Sequence, residues 1–296
     1  MSPAQGTAQK ALATYIQQPG PATTTYTAVA TDFVELDFEL EAGAALDFAL
    51  TKSITKLGLT GAFCKISKAE TTKLEYLIPA LSPDVDHAAW YSEPCILEMP
   101  GLITDASIIC GSHNQNPFYH CHGLFSDSLQ SEATKSVGHL IPEKCLLSQP
   151  THVTGVGFKN ANFNRVYDPE TQFNLFVPEE LSPSTNNHQG LLLRIAPNIE
   201  ITLPLIICCE NLGWEKASVF GLGSLIGAHF EDERIMESFA TEFYINKGLV
   251  DLSAKRPTCN LDVTIVGLDG KFMNGQLAEN ANPVLVTAEI ILKRIC

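Results

Sequence analysis

The chain carries no Cys-x-x-Cys pair, no cluster or stripe of Lys and Arg, and no apolar run long enough to span a bilayer. Each absence removes a class of function. Its nine cysteines are an odd number, scattered without the spacing of a disulfide framework, so a reduced protein is expected. The start, Met1-Ser2-Pro3-Ala4, lacks the apolar core of a secretory signal, which points to a cytoplasmic protein. Basic residues are scarce: 19 Lys and Arg stand against 33 Asp and Glu, for a net charge of −14. Such a surface repels phosphate backbones, and no nucleic-acid partner is expected. The longest apolar runs, such as Leu203-Pro204-Leu205-Ile206-Ile207-Cys208-Cys209, are too short to cross a membrane.

What is present is a well-folded composition. With 296 residues, 45% hydrophobic and 18% charged, the chain has room for one large or two ordinary domains. A stretch rich in Thr, Ala, Gln and Pro, broken by Gln18-Pro19-Gly20-Pro21, marks residues 1–30 as an N-terminal arm. A second break runs from Val177-Pro178 to Asn186-Asn187 and places a linker at residues 181–190. The expected domains are therefore 31–180 and 191–296.

The first domain opens with a strand over Phe33 to Leu40 and a helix from about Ala44 to Leu57. The helix carries Leu46, Ala49, Leu50, Ile54 and Leu57 at helical spacing and is stopped by Gly58. Strands follow at Ala62 to Ile66 and Ser107 to Gly111. Beyond the linker come a strand over Leu191 to Ile195, a helix ending at Leu212-Gly213, and strands at Ala217 to Phe220, Glu242 to Ile245, Leu261 to Val266 and Val284 to Leu292. Gly101-Leu102-Ile103 is answered by Gly248-Leu249-Val250, Gly138-His139-Leu140 by Gly275-Gln276-Leu277, and Pro150 with Val153-Thr154 by Pro283 with Val286-Thr287. Two tandem copies of one α+β unit are expected.

The chemistry concentrates in Phe118-Tyr119-His120-Cys121-His122-Gly123 and Gly138-His139-Leu140. On a strand, residues two apart share a face, so His120 and His122 project together while Cys121 turns to the opposite side as a buried small hydrophobe. A turn-rich interval at Ser126-Asp127-Ser128 lets a second strand fold back and bring His139 to the same point. Three neutral nitrogens with one position open suit a catalytic zinc better than a structural one. The internal comparison sharpens this: His120 aligns with Asn260, His122 with Asp262 and His139 with Gln276. All three imidazoles are replaced together by polar groups, so they share a role confined to the first half.

These two segments resemble the His-x-His and Gly-Gly-His-Leu signature of the PPC domain, the plants and prokaryotes conserved domain of unknown function. Leu193-Arg194-Ile195, Gly221-Leu222-Gly223-Ser224-Leu225, Glu242-Phe243-Tyr244 and Val286 to Leu292 extend the resemblance across the second half. It implies two tandem PPC-like domains, each a mainly antiparallel sheet packed with a helix, assembling as a homotrimer. It also implies zinc on His120, His122 and His139. Val137 stands where the family has a second Gly. The family's late Glu is present as Glu289 and replaced by Val156 in the first half, and the second copy is degenerate. The AT-hook of plant members is missing.

A zinc-bound water would serve a lyase or hydrolase acting on a small carboxylated or carbonyl metabolite. Proton-transfer candidates near in sequence are His152, His113, Glu143 and Asp127, of which His152, sharing a strand face with Thr154, is preferred. Asp168-Pro169-Glu170-Thr171 reads as a turn. The alternatives are a non-catalytic zinc-stabilised assembly or ligand-sensing module and, opposed by the acidity, a DNA-associated regulator.

Overall fold

Alternation of apolar and polar residues carries most of the described chain into strands. The computed structural model describes residues 14–97, 100–127, 134–183 and 188–295. The first half contains β1 (Tyr26–Thr31), β2 (Phe33–Leu40), α1 (Leu46–Lys56), β3 (Gly61–Leu77), β4 (Gly101–His113), β5 (Asn116–Ser126), β6 (Lys135–Leu140), β7 (Thr151–Phe158), β8 (Ala161–Tyr167) and β9 (Asn174–Glu180). The second contains β10 (Gly190–Ile195), α2 (Thr202–Leu212), β11 (Lys216–Leu225), β12 (Thr241–Asp251), β13 (Thr258–Gly267), β14 (Phe272–Gln276) and β15 (Val284–Arg294). Short bridges, Pro79–Ala80 with Trp90–Tyr91 among them, occupy the connections.

A ten-stranded sheet follows the eight-strand path β9-β8-β4-β5-β6-β3-β7-β2, with two short strands, Cys95–Leu97 and Leu146–Leu147, paired to β3 off that path, and a seven-stranded sheet follows β1-β10-β15-β11-β12-β13-β14. Inside them two six-strand runs, β2-β7-β3-β4-β5-β6 and β10-β15-β11-β12-β13-β14, follow the same order, with a helix after the first strand of each. The long strand β3 pairs with β4 along most of its length, and its end, Tyr76-Leu77, meets Leu140 and His139 of β6. The ring β3-β4-β5-β6 thereby closes and fixes where His139 sits.

The expected α+β class is corrected: the fold is mostly β, with 57% of residues in strands and 9% helical. Both expected helices form, but each has only 11 residues. α1 buries Leu46, Ala49, Leu50 and Ile54, while Leu57 lies beyond its end and is half exposed. α2 starts where the Glu200 carboxylate accepts hydrogen bonds from the Thr202 and Leu203 amides, and it ends at Gly213, whose φ of 64° is left-handed. Several strands, by contrast, outrun their expected lengths, although Phe33–Leu40 keeps its expected bounds. β3 continues past Ile66 because the pairing with β4 keeps its register across Lys68, whose φ is 66°: Ser67 pairs with Asp105 and Ala69 with Ile103, and Ala69, Thr71 and Leu74 are again buried.

Part of the expected N-terminal arm is strand. Residues 26–31 pair antiparallel with β10, while residues 1–13 lie outside the described residues. So do residues 184–187 of the expected linker. Two cores back the helices, one under α1 around Leu50, Ile108 and Cys121 and one under α2 around Leu205, Phe243 and Ile290. A third joins the sheets face to face, packing Phe63, Ile109 and Phe158 against Leu222, Tyr244 and Ile291. The edge of this junction is where the histidines lie. Among the described residues no helix is long and apolar enough to cross a membrane.

Candidate metal centre

Strand alternation on β5 turns His120 and His122 to the inter-sheet side and buries Cys121 completely in the core under α1. Its thiol is pushed well above the ordinary range by burial, which leaves it inert toward metals. His139 enters from β6 directly opposite His122 in the register. The flanking glycines permit this approach: a Cβ on Gly138 would lie 2.3 Å from the Leu77 carbonyl oxygen, and one on Gly123 would lie 2.7 Å from that of Asp105. The ring centroids of the three imidazoles form a triangle with sides of 4.7, 5.1 and 5.3 Å. One ligand nitrogen from each falls within 4.8 Å of the others, so the group could hold a metal ion.

The partners of the rings fix how they point. His122 Nδ1–H donates to the Phe243 carbonyl oxygen at 2.8 Å, and His120 Nδ1–H donates to Glu289 Oε2 at 2.9 Å. Thr287 Oγ1–H in turn donates to Glu289 Oε1 at 3.1 Å. In neutral rings these acceptors place both protons on Nδ1, and the two Nε2 atoms then face each other as lone pairs at 3.1 Å. Two bare lone pairs that close repel, and a cation between them removes the repulsion. Two nitrogens on one zinc at about 2.0–2.1 Å are separated by roughly 3.3 Å in tetrahedral geometry. The backbone carbonyl and carboxylate behind the rings are the outer partners that metal-ligating histidines ordinarily have.

Burial and charge are consistent with neutral ligands. Burial, with the neighbouring histidines adding to it, holds His122 and His139 well below the usual imidazole range. Glu242 of β12 approaches His122 Nε2 at 3.6 Å and His139 Nδ1 at 3.8 Å. Burial pushes its carboxyl up to about 8, with the Tyr91 phenol pulling modestly the other way. His139 Nδ1 and Glu242 Oε2 are buried with no hydrogen-bond partner, so polar capacity at this point is unfilled.

The imidazoles open onto a cavity of about 210 Å³. One wall carries the histidines with Glu242 and Glu289; another is aromatic, with Trp90, Phe118 and Phe173. Arg165 and Tyr91 complete it. The preferred proton-transfer residue is not brought here: His152 is 60% exposed on β7 and bonded to Asp37. His113, Glu143 and Asp127 do not line the cavity either. Asp168 closes its expected turn by accepting from Thr171 and also binds Arg194 at 2.8 Å. Tyr119 reaches away toward α1, donating to the Asp47 carbonyl oxygen. Glu242, Tyr91 and Arg165 received no role from the sequence, because they come from connections and strands distant from the histidine segments.

No known family profile and no curated protein matches the chain. Among solved structures it is similar to a plant- and prokaryote-conserved (PPC) protein from Pyrococcus horikoshii, at 15% identity over 55% of this chain and 100% of that one, with a TM-score of 0.37. A metal-containing protein from Archaeoglobus fulgidus matches at 17% identity over 52% of this chain and 99% of that one, TM-score 0.38. A candidate DNA-binding protein from Ralstonia eutropha matches at 16% identity over 52% of this chain and 95% of that one, TM-score 0.38. The PPC resemblance read from the sequence thus recurs among the similar structures. The expectation of no nucleic-acid partner is withdrawn, since one of these structures is described as a candidate DNA-binding protein.

Proposed function

We propose that the chain is a zinc-dependent enzyme acting on a small carboxylated or carbonyl-bearing metabolite, with zinc on His120, His122 and His139. The observation that carries this reading is the pair of Nε2 atoms held 3.1 Å apart while each ring's Nδ1 is engaged by an acceptor behind it. An all-imidazole set with room for a fourth ligand suits zinc in its catalytic form. Zinc so bound supplies either a water ionising near neutral pH or a Lewis acid for a carbonyl oxygen.

The chain's own groups supply the rest. Glu289 and the Phe243 carbonyl hold two rings in the ligating tautomer. Glu242 Oε1, 3.6 Å from His122 Nε2, stands close enough to the histidines to exchange a proton with a substrate oxygen or leaving group. The aromatic wall limits water around the reacting centre. Residues 31–180 and 191–296 are two copies of one unit in this reading. The shared strand order supports it, as does the pairing of Asp262 with Gln276 at the place where His122 pairs with His139. The second copy has lost its imidazoles and instead walls the first copy's site with Glu242 and Glu289.

The test is turnover of a panel of small hydroxy acids, unsaturated acids and carboxylate esters, followed by NMR. Zinc-loaded protein, zinc-stripped protein and zinc-treated His120→Ala are compared. Turnover confined to the zinc-loaded protein is expected. Full zinc occupancy without turnover of any panel member would instead favour a zinc-stabilised sensing module.

A further inference from the structure

The cavity contains one group that the metal reading leaves without a task. Arg165, on β8, has no carboxylate within ion-pair distance among the described residues, although acidic residues outnumber basic ones by 33 to 19 in this chain. Its guanidinium instead lies over the Phe118 ring, 4.5 Å from the centroid. Its backbone carbonyl accepts from His113 Nδ1, which ties this part of β8 to the end of β4. The fork of donors is therefore positioned but unpaired, and it shares a cavity with the histidines. Guanidinium groups in that condition match carboxylates through two parallel hydrogen bonds.

The remaining walls state what lies next to that carboxylate. Trp90 and Phe173 are stacked with ring centroids 5.4 Å apart, and Phe118 meets Phe176 edge to face at 5.8 Å. All four line the cavity, so a ligand held at Arg165 lies among flat apolar faces. Glu242, whose Oε2 is buried and unpartnered, lines the same cavity and offers a polar contact to its far end.

We infer that Arg165 is the carboxylate anchor of this cavity, and that the ligand is a small carboxylate with a flat, apolar body spanning from the guanidinium to the histidine cluster. The inference deepens the proposed function and rests on it for the role of the far end. The anchor itself is tested separately. Phe118 holds the guanidinium in place by stacking, so Arg165 is a specificity-determining residue that touches the ligand.

The probe is benzoate, with benzamide as its neutral counterpart, titrated by calorimetry into the full chain after zinc loading, with zinc content measured on the same samples. Benzoate is expected to bind, and benzamide to bind at least tenfold more weakly. Arg165→Gln should weaken benzoate tenfold or more, the range expected for loss of a charge-assisted contact, while leaving benzamide and zinc content unchanged. Arg165→Lys should fall between, since an ammonium keeps the charge and loses the fork. Benzoate binding equally to wild type and Arg165→Gln, or not at all to zinc-loaded wild type, would overturn the anchor. Failure of the metal reading is seen independently, as wild type without zinc; the contrast between benzoate and benzamide then decides the anchor on the zinc-free chain.

Discussion

At the residue scale, the site is a set of three rings whose usefulness depends on what stands behind them. The His-x-His pair was legible because strand alternation leaves only one outcome for residues two apart, and His139 because a strand folding back must pair somewhere near it. Glu289 was visible as a residue but not as a partner of His120, since 169 positions separate them and no local pattern links the two. Tyr91 and Arg165 carried no signal at all. Their roles come from a cavity that exists only after the sheets meet. Removing the carboxylate behind His120, by Glu289→Ala, frees the ring to rotate and lowers its basicity. Zinc affinity is expected to fall about 10- to 100-fold, the usual loss for an outer partner of a metal ligand. Competition against a chromophoric chelator measures this, and unchanged affinity would remove Glu289 from the site.

At the scale of elements, the positions of the strands were readable and several of their extents were not. Phe33–Leu40 begins and ends where the alternation does. β3 was cut short at Ile66 because Ser67-Lys68 interrupts the pattern, whereas the pairing with β4 keeps its register across Lys68 and the strand runs on to close against β6. That closure is the structural reason for the glycine beside His139. Gly138→Ala would drive a Cβ into the Leu77 carbonyl oxygen, and overpacking of this kind costs about 1–3 kcal/mol. A lower melting temperature is expected, together with weaker zinc binding, because the movement is applied to the strand that carries His139. Gly213→Ala, by contrast, meets no atom and is strained only by its left-handed φ, so about 1–2 kcal/mol of stability should be lost with zinc affinity retained. Thermal melts of both variants beside their zinc isotherms separate the two effects.

For the whole molecule, the candidate centre belongs to neither sheet alone. Imidazoles come from the ten-stranded sheet and carboxylates from the seven-stranded one, across a junction filled by Phe63, Phe158, Leu222 and Tyr244. The sequence comparison of the two halves anticipated which positions correspond. It could not show that the half lacking the three clustered imidazoles faces the half with them, because nothing in either segment encodes their relative placement. A buried ion pair, Asp168 with Arg194, ties β10 to the turn after β8, and both side chains are about 5% exposed or less. Arg194→Ala would strand a buried carboxylate and is expected to cost about 3–5 kcal/mol in urea unfolding. A loss under 1 kcal/mol would mean that water reaches Asp168 and that the junction there is looser than described.

The central claim is that His120, His122 and His139 together hold one metal ion. Elemental analysis of tag-free protein for zinc, iron, manganese and nickel, with wild type beside His120→Ala and His139→Ala, tests it most directly. The account predicts near one equivalent of zinc per chain in wild type, lost in both variants while their circular dichroism stays that of the folded protein. Full metal content in the variants, or none in wild type after zinc is added back, would contradict it.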